Sequence, residues 1–201
     1  LFCWGSNARG QLGQPAAATG SNTPVLVVSD NLPTVLSVVA GASHTCAIGG
    51  DGAPFCWGAN DSFQVEPSNG TTDKTAPIGN PFATTPAALE VVAGERHACA
   101  RINDGTVTCW GANESGQGGN GTRIAAAGGR PVTGLLAQNG VISVAAGGAS
   151  TCVITGDGRL RCFGNGSAGQ LGEGSFESSA APGLVNITGP VQVSSGGDVS
   201  C

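Results

Sequence analysis

Short apolar blocks separated by glycine-rich polar stretches run the length of the chain, and no segment keeps the apolar spacing of an amphipathic helix. The clearest block, Val38-Val39-Ala40-Gly41-Ala42-Ser43-His44-Thr45-Cys46, returns as Val91 to Cys99, as Val144 to Cys152 and, more weakly, as Val193 to Cys201. A second block, Cys3-Trp4-Gly5, returns as Cys56-Trp57-Gly58, Cys109-Trp110-Gly111 and Cys162-Phe163-Gly164, with Gln11, Gln64, Gln117 and Gln170 in step. Cys3, Cys56, Cys109 and Cys162 lie 53 residues apart, and Cys46, Cys99 and Cys152 keep the same period. A supersecondary unit that cannot bury its own apolar face must stack on copies of itself, so this period predicts a solenoid or a propeller.

Between the blocks lies a hairpin pattern: an apolar run, a turn at Gly50-Asp51-Gly52, Asn103-Asp104-Gly105 or Gly156-Asp157-Gly158, and a second strand. Centring each hairpin on its turn sets Cys46 opposite Cys56, Cys99 opposite Cys109 and Cys152 opposite Cys162. Directly opposed residues of antiparallel strands lie within disulfide range, so three cross-strand disulfides are expected, each worth roughly 2 to 3 kcal/mol by loop-closure entropy. Zinc sites use closer cysteine spacing completed by histidine, and no metal or cofactor site is expected. Paired cysteines point to an oxidising compartment and hence to an extracellular or cell-surface protein. The first residue, Leu1, falls in mid-strand, as expected after processing or in a piece of a longer polypeptide. No apolar stretch is long enough for a membrane-spanning helix.

Composition agrees with an all-β chain: 35 of 201 residues are glycine and 11 are proline. Charged residues make up only 10%, Lys74 is the sole lysine, and the net charge is −5. Such a surface is short of the charge that keeps a domain soluble, which directs attention to the N-x-S/T sequons at Asn60, Asn69, Asn113, Asn120, Asn165 and Asn186 as N-glycosylation candidates. The arginines are scattered through an acidic chain, without the clustered cationic footprint that nucleic acid requires.

The order Val-x-x-Gly-x-x-His-Thr-Cys-Ala, Asp-Gly, Cys-Trp-Gly-x-Asn-x-x-Gly-Gln-Leu-Gly resembles the repeat of the regulator of chromosome condensation family, best over residues 1–13, 41–57, 94–117 and 162–172. The resemblance implies a β-propeller of four-stranded antiparallel blades, usually seven to a ring, of which about four are covered here. The paired cysteines are similar to the extracellular branch, the ectodomain repeats of crinkly-type plant receptor kinases. Residues 1–201 are one propeller domain or part of one, with repeats cut near 3–55, 56–108, 109–161 and 162–201. Cys3 and Cys201 would pair with residues of a longer ring, with each other in a four-bladed ring, or between subunits. The family's larger ring favours the first.

Trp4, Trp57, Trp110 and Phe163 follow the hairpin cysteines and so face the opposite side of their strands, where blade-to-blade packing is expected of them. His44 and His97 occupy one repeat position on different blades, which fits hydrogen bonding to a neighbouring strand better than catalysis. The Asp-Gly turns offer too few carboxylates for calcium, and Gly116 to Gly121 lacks the context of a phosphate loop. No catalytic constellation emerges. The expectation is a non-catalytic extracellular scaffold for protein interaction or self-association, including a building block of a filament, with partner recognition in the variable stretches 14–36, 65–88, 120–141 and 172–191. A receptor ectodomain or secreted inhibitor is the alternative.

Overall fold

The computed structural model describes residues 1–14, 19–29, 31–66, 70–79, 87–135 and 140–201. They form sixteen strands and no helix: β1 (Phe2–Ser6), β2 (Gly20–Leu26), β3 (Val35–Ala40), β4 (His44–Gly49), β5 (Pro54–Gly58), β6 (Lys74–Gly79), β7 (Ala88–Ala93), β8 (His97–Ile102), β9 (Val107–Gly111), β10 (Ala126–Pro131), β11 (Val141–Ala146), β12 (Ser150–Thr155), β13 (Leu160–Gly164), β14 (Ser179–Val185), β15 (Ser195–Gly196) and β16 (Val199–Ser200). Strands β3 to β6, β7 to β10 and β11 to β14 make three antiparallel four-stranded sheets in chain order. Pairs β1–β2 and β15–β16 supply two-stranded portions before and after them. The sheets are blades of a propeller, and together the covered portion amounts to about four. Their phase differs from repeats cut at the cysteines, because the Val-to-Cys block forms the first two strands and Cys-Trp-Gly the third.

The hairpin registers place Cys46 opposite Cys56, Cys99 opposite Cys109 and Cys152 opposite Cys162. All three pairs are disulfide-bonded, with Cα atoms 4.0–4.1 Å apart. Cys3 and Cys201 are free thiols, and burial raises the pKa of Cys3. The first strand of every blade carries a bulge, at Leu36, Leu89 and Ile142, where the pairing slips by a residue. First strands of successive blades contact one another and so surround the propeller axis.

The hydrophobic core lies between the blades. One cluster joins Cys46, Cys56 and Val65 of one blade to Val91, Ala98 and Trp110 of the next; another joins Cys99 and Cys109 to Val144, Val153 and Phe163. The Cys46–Cys56 and Cys99–Cys109 disulfides thus face forward, onto the aromatic residue that the following blade turns backward, while Cys152–Cys162 packs with Leu171, Val185 and Val193, and Trp57 packs near Cys3. Trp57, Trp110 and Phe163 are fully buried in this way, whereas Trp4 is 64% exposed and packs in no such seam. At this position burial comes from the sheet behind, and no described sheet lies behind Trp4.

Trp110→Ala should cost about 3 to 5 kcal/mol through the cavity left in the seam, while Trp4→Ala should change stability by no more than about 0.5 kcal/mol. Urea unfolding of the two variants checks this, and similar losses would contradict the seam.

Candidate interaction face

After the third strand of each blade the chain enters a tight loop held by two side chains. The Asn60 carboxamide oxygen accepts from the main-chain N–H groups of Val65 (3.0 Å) and Glu66 (2.9 Å), and its amide donates to the carbonyls of Glu66 and Gly70. Asn113 accepts from Gly118 N–H at 2.7 Å and donates to the carbonyls of Thr122 and Ile124. Asn7 accepts from Leu12 N–H at 2.9 Å. The glutamines brace the same loops: Gln11, Gln64, Gln117 and Gln170 accept from the N–H two residues earlier at 2.8–3.0 Å.

This frame overturns two of the glycosylation candidates. Asn60 and Asn113 are 0% and 1% exposed, and their amide nitrogens are consumed inside the loop, so no glycan fits on either in the folded chain. Asn69 lies outside the described residues. Asn120 and Asn165 are partly exposed and Asn186 is exposed. In the fourth loop Gly166 stands where the framing asparagine would be, and Ser178 Oγ takes its N–H instead.

Phe63 is the one non-glycine residue with a left-handed backbone among those described, at φ 64°, where Gly10, Gly116 and Gly169 stand in the other loops. A bulky residue there costs about 1 to 2 kcal/mol. The Asn60–Gln64 frame imposes the loop shape regardless.

Held in this way, the loop offers the glutamine carbonyl to the next blade. Trp57 Nε1 donates to Gln11 O and Trp110 Nε1 to Gln64 O, both at 2.9 Å. Thr45 and Thr151 hydroxyls donate to Gln11 O and Gln117 O, also at 2.9 Å. Because Thr151 spends its proton on Gln117, its oxygen must accept from His97 Nε2–H, 2.9 Å away. His97 therefore does bridge to the neighbouring strand. One blade earlier, the counterpart of Thr151 is Ala98, and neither nitrogen of buried His44 has a partner. Each ring lies beneath a glycine: a Cβ on Gly41 or Gly94 would fall 2.4 or 2.3 Å from the imidazole Cε1. Burial lowers the pKa of His44 to about 4 and that of His97 to about 3.

Charge gathers at the same end of the blades. Arg9 grips Asp73 with two nitrogens, and Asp61 lies 3.5 Å from Arg9 and 3.6 Å from Arg96. The Arg9 hydrogen bond, first, holds the Asp73 carboxyl below its usual range; for Asp61 the leading cause is the bond from Gln64. These partly exposed pairs are worth at most about 1 kcal/mol each. They stitch the β1 loop to the next two blades and leave their charges internally matched. Among the described residues no group of three or more His, Cys, Asp or Glu side chains could hold a metal.

Inter-blade cores, repeated seams and cross-strand disulfides define a β-propeller repeat protein. Two models of the regulator of chromosome condensation (RCC1) repeat match the chain, one over residues 1–48, the other over residues 35–64, 89–117 and 141–170. The chain belongs to the RCC1 repeat family. It is 31% identical over 193 residues to the human probable E3 ubiquitin-protein ligase HERC6, covering 92% of this chain and 18% of that protein. Human WBSCR16 superposes with a TM-score of 0.87 at 23% identity, over 99% of this chain and 51% of its own. Yeast RCC1 (Prp20), solved bound to Kap60 and also studied for its binding to Gsp1p and histones, gives 0.82 at 22% identity over 98% of this chain and 48% of its own. The ectodomain of the Physcomitrella patens receptor kinase CR4 shares the fold at 0.51 and 19% identity, over 92% of this chain and 39% of its own. The chain thus spans less than a fifth of HERC6 and about half of WBSCR16 and of yeast RCC1.

Both imidazoles are neutral in the folded state and acquire a proton on unfolding below about pH 6.5. Stability should be complete above that value and should decline as pH falls toward 4, by roughly 1 kcal/mol per pH unit for each ring. Urea midpoints at several pH values should fall less steeply for His44→Gln/His97→Gln; an unchanged slope would contradict the assignment. Ala98→Thr should give His44 its partner and add about 1 kcal/mol, read as a higher urea midpoint.

Proposed function

We propose that the chain is the propeller of an exported, non-catalytic scaffold that binds other proteins. The observation that carries this reading is the set of three buried disulfides, one per complete blade, two of them packed into an inter-blade seam against the next blade's aromatic ring. Such bonds persist in oxidising compartments and are rare in the cytosol. The polar side chains conserve no charge for chemistry: the histidines are buried as neutral rings, and the Arg9–Asp61–Asp73–Arg96 network is closed on itself. Protein binding is supported by the complex of yeast RCC1 with Kap60. Glycans, in this reading, occupy Asn120, Asn165 and Asn186, and self-association into a filament or wall is its narrower form.

Blocking thiols before lysis and mapping peptides without reduction should recover Cys46–Cys56, Cys99–Cys109 and Cys152–Cys162 from the native protein. In a secretory eukaryotic host, enzymatic deglycosylation in heavy-oxygen water should label Asn186 and leave Asn60 and Asn113 unlabelled. Alkylated thiols at the six paired positions would sink the exported reading.

A further inference from the structure

The opposite end of the blades, where the Asp-Gly turns lie, carries unmatched apolar surface. Leu89 and Ile142 are each 55% exposed, although a complete blade precedes each of their strands and further strands follow. An open sheet edge therefore does not explain them. Their strand neighbours Ala88, Val91, Val141 and Val144 are buried, and the bulge in each first strand is what turns the intervening aliphatic residue out of the seam. Leu36 and Val191 hold the same repeat position and are 67% and 91% exposed. The apolar set thus repeats from blade to blade beside the propeller axis.

Carboxylates are fixed next to it. The turn Asp51-Gly52 accepts the N–H of Ala88, one residue before Leu89, at 3.0 Å; the turn Asp104-Gly105 accepts that of Val141, one residue before Ile142, at 2.8 Å. Asp51 and Asp104 are exposed, and their side-chain bonds are to N–H or hydroxyl groups of their own turns. On the third blade Arg159 lies 3.6 Å from Asp157, and the nearby Glu90 and Arg101 neutralise each other. The net sign beside Leu89 and Ile142 is negative.

We infer that this turn face is a docking surface for a protein segment carrying aliphatic side chains next to lysine or arginine, an inference that rests on the scaffold reading above. An apolar centre with a charged rim is the anatomy of a protein interface, and the rim selects a cationic partner by charge complementarity. A second copy docked through the same face would set acidic turns against acidic turns.

The probe is a fluorescent peptide of alternating leucine and lysine, titrated by anisotropy, with a leucine–glutamate peptide as control. Wild type should bind the lysine peptide, more weakly as salt rises. Leu89→Ser/Ile142→Ser should weaken binding at least tenfold, Asp51→Asn/Asp104→Asn should weaken it several-fold and flatten the salt dependence, and Arg96→Ala on the other face should leave it unchanged. Thermal unfolding verifies each fold; if the serine variant does not fold, the asparagine variant decides. Four results would overturn the inference: no binding by wild type, equal binding of the glutamate peptide, wild-type affinity in the folded serine variant, or self-association abolished by that variant. Failure here with partners cross-linked to the Arg96 face of the native protein leaves the scaffold reading standing; absence of any cross-linked partner removes that reading itself.

Discussion

The hydrogen bond from Trp110 to the main-chain carbonyl of Gln64 joins one blade to the loop of the blade before it, and the same contact recurs from Trp57 to Gln11. A single blade has no interior: its disulfide projects to one side, its aromatic ring to the other, and both meet apolar partners only across a seam. Repetition is thus a physical requirement of the fold. The loop must present its carbonyl at a fixed height for the indole to reach it, which is why two amide side chains are committed to every complete Asn–Gln frame.

The seam also accounts for the histidines. A ring placed beneath glycine, against the next blade, is shielded from water and held neutral. Its partner belongs to the following repeat, so a substitution in one repeat is felt in another. Ala98 shows this: it is a good strand residue within its own blade, yet it leaves His44 with no hydroxyl to meet.

Periodicity made a stacked repeat legible and the family resemblance made it a propeller, while register follows from turn position and places the cysteines of each hairpin face to face. Other features were hidden for identifiable reasons. Asn60 and Asn113 satisfy a sequon and a loop frame with the same letters, and only the count of amide hydrogen bonds separates the two. Trp4 reads like Trp57, but its environment belongs to another sheet. Leu89 and Ile142 lie in apolar runs that look wholly buried; the bulges that expel them leave no mark in the hydrophobic pattern. Phe63 stands out in the sequence as the odd member of a glycine column, with Phe63-Gln64-Val65-Glu66 in place of Gly-Gln-Leu-Gly, but its left-handed backbone leaves no mark there.

The disulfides tie second and third strands at mid-length, with ten residues of sequence separation each. A tensile load pulling the chain apart would pass through sulfur and bypass the enclosed hairpin, whose contour length stays locked. Extension of a torn blade is then confined to its first and fourth strands and the linkers, which gives the molecule a built-in limit to how far it can be drawn out.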